Sequence, residues 1–170
     1  MSHVKNKVEW CLRKAEKELH EGKKHRGLRK VNPDLQKARE HIVKAERNLK
    51  ATLYLREGGY TDWCSSTLFY VIYHCFRALL VKHGYESRNQ ECTFALLQSL
   101  IEERLVTITL PELEKVFDMN IKEGQESPDV VSIREESQYS TTLTLKDESY
   151  ADLLHFAKEI LHKTKLMLEE

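Results

Sequence analysis

The stretch Tyr60–Gly84, YTDWCSSTLFYVIYHCFRALLVKHG, constrains this chain more than any other. At helical spacing Leu68, Ile72, Cys75, Phe76, Leu79 and Leu80 fall on broad apolar faces, which predicts a core helix. Ser66, Tyr70, His74 and Arg77 recur at i, i+4, i+8 and i+11, a line of hydrogen-bonding groups along the same helix. A helix that is otherwise core material must satisfy such groups internally or present them to something. Bonds to neighbouring helices are the commoner outcome; a functional site is the alternative.

The remaining residues supply the rest of a helical domain. With 170 residues the chain suffices for one domain with a real core and is short for two. Only six Gly and three Pro interrupt it. No run approaches the ~20 apolar residues of a membrane span, because Asp62, His74 and Arg77 break the best candidate. The opening MSHVKNKVEW has no apolar signal core, so a cytoplasmic protein is expected. Cys11, Cys64, Cys75 and Cys92 are scattered without a CxxC pair, and reduced, buried thiols are expected rather than disulfides or a metal site.

A net charge of zero hides a gradient. Residues 1–57 hold sixteen Lys/Arg against eight Asp/Glu, and residues 101–170 hold eight against sixteen. Such a split steers an anionic partner to one end or favours contact between copies, unless both are simply solvated faces.

Along the chain, a first helix is expected from His3 to His20, with Val4, Val8, Cys11, Ala15 and Leu19 on one face. GKKHRGLRKVNP then reads as a basic loop, with Lys23, Lys24, Arg26, Arg29 and Lys30 as phosphate-attracting candidates. Asn32 before Pro33 predicts a helix start, and that helix reaches about Arg56, ending at Gly58-Gly59, with Ile42, Ala45, Leu49, Leu53 and Leu55 on or near its apolar face. After Gly84 come helices near Glu91–Glu103, in LPELEKVFDMNI, over Asp129–Gln138 and over Glu148–Leu168. EGQESPD reads as a loop and TTLTLKD as an extended hook. Glu159-x-x-His162 is the one Glu-x-x-His match and reads as a surface pair, so no metal site is expected. The expectation is an all-α, antiparallel up-and-down bundle of about five to seven helices.

The order of amphipathic helix, double glycine, aromatic, then Ser66-x-x-x-Tyr70-x-x-x-His74 followed by Arg77-Ala78-Leu79-Leu80 and a terminal Gly resembles the HEPN domain. The resemblance covers roughly residues 42–168 and is most specific between Trp63 and Gly84. Residues 1–32 read as an N-terminal extension and 33–170 as the HEPN-like bundle. Where many members have two successive tyrosines, this chain has Phe69-Tyr70. The resemblance implies a homodimer, and often a minimal nucleotidyltransferase partner in a toxin–antitoxin-like module.

Many such relatives are metal-independent ribonucleases whose late motif is an Arg followed by His after four to six residues. There imidazole moves the proton and guanidinium stabilises the phosphorane charge. Here Arg134 stands at that place, but Tyr139 replaces the histidine, and Gln90 stands where relatives often have His. Arg77-x5-His83 and Arg13-x6-His20 meet the bare spacing, as chance alone would allow. The expected function is therefore binding of a nucleotide, RNA or a nucleotidyltransferase through Ser66, Tyr70, His74, Arg77, Arg134 and Tyr139, without a complete ribonuclease motif and without a cofactor. An active ribonuclease toxin using Arg77 with His83, or Arg134 with a histidine from elsewhere, is one alternative. A purely structural adaptor, with Tyr70 and His74 buried and satisfied, is the other.

Overall fold

A computed structural model of the chain describes residues 3–117 and 129–169. Among them are seven helices and one two-stranded sheet: α1 (His3–His20), β1 (Leu28–Lys30), α2 (Leu35–Glu57), α3 (Thr61–Lys82), β2 (Tyr85–Ser87), α4 (Gln90–Glu102), α5 (Leu110–Val116), α6 (Val130–Tyr139) and α7 (Asp147–Glu169). The expected all-α bundle is therefore present. The loop EGQESPD and the end of LPELEKVFDMNI fall largely outside the described residues.

Helix α3 is the axle. It packs against α2, α4, α6 and α7, and buries Leu68, Phe69, Ile72, Cys75, Phe76 and Leu79 almost completely. By length and composition α3 is apolar enough to cross a membrane, contrary to the sequence reading, but 72% of its most apolar window is buried inside the protein. Its apolar surface is spent on the core. Phe94 of α4 carries that core outward, edge-on to Phe76 and stacked on Phe117.

Helix α2 runs back along α3 after the turn at Gly58-Gly59, where Gly59 takes the left-handed conformation (φ 81°) that glycine adopts without strain. Its start differs from the sequence expectation. Asp34, not Asn32, is the cap, accepting a hydrogen bond from the Lys37 amide, and Pro33 lies before the helix. The reason is tertiary: the Val31 amide donates to the Gly84 carbonyl and the Asp34 amide to the Val81 carbonyl, so the chain is held along the end of α3 until residue 34. Leu53 is an outward residue rather than an apolar-face one.

Two further expectations are corrected. Arg29 and Lys30 belong to β1, which pairs antiparallel with β2 in the register Leu28↔Ser87, Arg29↔Glu86 and Lys30↔Tyr85. Cys11 and Cys92 form a disulfide linking α1 to α4, while Cys64 and Cys75 are free and buried. Packing brings α1 alongside α4, a proximity that 81 residues of separation conceal. Residues before α2 are thus fastened by the disulfide, the Lys7–Glu91 ion pair and the small sheet. TTLTLKD forms no strand; it crosses to α3, where the Leu145 amide donates to Thr61 Oγ1.

Candidate functional site

The polar line on α3 is not one uniform surface. Ser66 is buried and its hydroxyl has no hydrogen-bond partner among the described residues. Tyr70, one turn on, is 42% exposed with its ring edge-on to Phe69 and, among the described residues, no hydrogen bond from its hydroxyl. The adaptor reading expects both Tyr70 and His74 to be buried and satisfied within one subunit; Tyr70 departs from it, whereas His74 is half-buried and bonded.

His74 reaches across to α2. Its Nδ1 lies 3.0 Å from Nδ1 of His41, with the rings tilted and their centroids 5.3 Å apart. Both side chains are half-buried. Two neutral imidazoles bond this way only if one carries its proton on Nδ1 and the other on Nε2. Burial, and next the Arg77 guanidinium, push both groups down to about 4, with Lys37 adding to the effect at His41 and Lys44 at His74. At neutral pH the pair is therefore uncharged, within a surround of Arg77, Lys37 and Lys44. Lys37, His41 and Lys44 follow helical spacing on α2, so one face of that helix supplies all three.

His41 was absent from the sequence-derived candidates. A usable signal existed: the Lys-x3-His-x2-Lys line on the helix preceding the Ser-Tyr-His helix. It has meaning only once the two helices are known to be antiparallel neighbours.

The remaining candidates separate. Arg134 of α6 lies over the Phe69 ring, 4.5 Å from its centroid, pairs with Glu135 at 3.2 Å, and leaves a buried Nε without a partner among the described residues. It sits against α3, over the residue preceding Tyr70, not out in solvent. Tyr139 is 83% exposed and lines a cavity of about 370 Å³ with Asp62, Trp63 and Leu143, which none of the other candidates lines. Five residues along a helix turn the chain by roughly 140°, so Arg134 and Tyr139 face different ways.

Of the bare Arg-to-His spacings, Arg77 and His83 are set roughly 120° apart on the helical wheel and share no face. His83 is instead the C-cap of α3, half-buried, its pKa lowered by burial and then by Lys82. Among the basic-loop candidates, Lys23 pairs with Glu21, and the Arg26 amide donates to Glu18. Lys24, Arg29 and Lys30 are exposed. Glu159 pairs with His155, not His162. Among the described residues no three His, Cys, Asp and Glu side chains converge as a metal would require.

The arrangement has the parts of an anion site: a guanidinium and two ammonium groups for phosphate, a proton-sharing imidazole pair, and an exposed phenol ring for stacking. The chain is 23% identical over 127 residues to a Methanocaldococcus jannaschii protein named "Putative toxin MJ0142", an alignment spanning 75% of this chain and 78% of the relative. The model of the HEPN domain matches residues 38–167, from α2 into the last turns of α7. The chain belongs to the HEPN domain family.

Proposed function

We propose that this protein is a toxin-like HEPN protein that binds RNA or a nucleotide on the α2–α3 face, with phosphate seated by Arg77, Lys37 and Lys44 and a base lying on Tyr70. The observation that carries the reading is the His41–His74 pair, two uncharged imidazoles half-open to solvent inside a cluster of cations. A structural histidine pair needs no such surround, and the surround disfavours protonation unless an anion arrives. Phosphate would neutralise the cations and raise both imidazole pKa values, so binding and protonation are coupled. The exposed Tyr70 ring is a further group left for a ligand or a second subunit. Homodimerisation, a nucleotidyltransferase partner and a toxin–antitoxin-like setting belong to this reading.

Metal-independent RNA cleavage is the second reading, and the same pair favours it. A neutral imidazole beside a guanidinium has the groups to accept a ribose hydroxyl proton and to stabilise phosphorane charge. The candidate base is then His74 or His41, rather than His83. Incubating the purified protein with structured and single-stranded RNA in a chelator separates the two. Binding without cleavage supports the first reading; cleavage lost in both His74→Ala and His41→Ala supports the second. No binding to RNA or nucleotides sinks both.

A further inference from the structure

An open groove of about 600 Å³ lies along α1, lined by Trp10, Arg13, Lys14, Lys17, Glu18, Glu21 and Lys23. It belongs to the extension preceding the HEPN-matching residues and shares no residue with the α2–α3 site. Its volume falls within the ~300–1,000 Å³ range of ligand pockets. The carboxylates are already engaged: Glu21 pairs with Lys23, and Glu18 accepts from the Arg26 amide. Arg13 and Lys17 have no ion pair among the described residues, and they stand one turn, about 6 Å, apart on the same helix.

Trp10 forms the wall at one end. It is 44% exposed and separates this groove from a smaller one lined by His3, Asn6 and Lys7. Lys7 and Lys14 both lie over its ring, at 4.6 and 5.1 Å from the centroid. Lys7 is anchored to Glu91, so Lys14 is the one free to turn from the ring toward a phosphate. The support is rigid, because Cys11, the next residue, is bonded to Cys92 of α4.

We infer that this groove binds single-stranded nucleic acid, with a base stacked on Trp10 and successive phosphates held by Arg13, Lys14 and Lys17. Stacking on an exposed indole beside a row of cations suits a strand whose bases are unpaired. A membrane surface fits less well, since the apolar residues Val4, Cys11 and Ala15 of α1 point into the protein, leaving no wide apolar face to insert. An acidic peptide would use the cations and leave the ring idle.

The test uses the full chain with its disulfide intact and Trp63→Phe as background, so that Trp10 reports alone. Oligouridylate and oligothymidylate are titrated while Trp10 fluorescence is followed, with anionic phosphatidylserine vesicles as a third arm. The inference expects quenching by an oligonucleotide, with affinity falling steeply as salt rises. R13E/K14E/K17E should weaken binding at least tenfold and flatten the salt slope, and W10A, followed instead by the anisotropy of a labelled oligonucleotide, should weaken it several-fold with helicity unchanged. H74A/R77A should leave the Trp10 quench intact, which separates this groove from the α2–α3 site. Oligonucleotides that do not quench Trp10, a triple variant that binds undiminished, or vesicles bound in preference to both oligonucleotides would overturn it.

Discussion

His41 and His74, thirty-three residues apart in sequence, meet through their Nδ1 atoms at 3.0 Å where α2 and α3 run side by side. That contact joins the helix preceding the double glycine to the helix following it, and it places a titratable pair beside Arg77. The pair accounts for His74 in the α3 stripe. Tyr70 remains exposed and Ser66 unbonded, so internal satisfaction explains only part of that line.

The imidazole pair should make the protein acid-sensitive. Both groups are held at about 4 when folded, below the ordinary histidine value of ~6.5 reached on unfolding. The unfolded chain therefore binds more protons between those values. The contribution to stability is fully present above pH ~6.5 and lost as pH falls toward 4. Buried His25 and half-buried His83, both also lowered, act in the same direction. Urea midpoints measured from pH 7.5 to 4 should fall, and H41Q/H74Q should have a shallower fall. An unchanged slope in that variant would assign the acid sensitivity elsewhere.

The disulfide is a direct count. Denatured without reductant, the protein should expose two reactive thiols, Cys64 and Cys75, and four after reduction. Cys11→Ser should cost about 2–4 kcal/mol of stability. Hydrogen exchange should rise chiefly in α1 and β1, which the bond helps to fasten. Four thiols in the unreduced protein would remove the tether from the account.

Gly27 tests the docking of the extension by sterics alone. A Cβ there would stand 2.3 Å from the Cys11 carbonyl oxygen and 3.0 Å from the Ala15 nitrogen, both backbone atoms that cannot swing aside. Gly27→Ala should loosen α1 from the loop, giving faster exchange in α1 while α3 and α7 stay protected. Unchanged α1 protection would contradict the contact.

Arg134 should matter modestly to stability. Removing its guanidinium forfeits the contact over Phe69, worth about 1–2 kcal/mol when largely desolvated, and also removes the buried, unbonded Nε. Arg134→Ala should therefore lower stability by no more than about 2 kcal/mol in denaturant unfolding. A much larger loss would make Arg134 a pillar of the α3–α6 packing.

The architecture was legible because its signals are local. The apolar periodicity of α3, the breaks at Gly58-Gly59 and Gly84, and the inward faces of α4 and α7 place the helices within a few residues. What sequence could not supply depends on which helices become neighbours. The Cys11–Cys92 bond needs α1 against α4. The β1–β2 pairing of LRK with YES is too short to carry a period. His41 acquires its role only opposite His74. The site was half-read for the same reason: its α3 residues carry the family spacing, and its α2 residues Lys37, His41 and Lys44 do not.

The central claim is that the α2–α3 face receives an anionic RNA or nucleotide ligand. The most direct measurement is a titration of the histidine imidazole NMR signals with a short uridylate oligonucleotide at neutral pH. The account predicts that the His41 and His74 resonances shift together and that their apparent pKa values rise from about 4, while the resonances of His155 and His162, exposed residues of α7, do not move on addition of the oligonucleotide. Unmoved His41 and His74 signals, whether or not the oligonucleotide binds elsewhere, would contradict it.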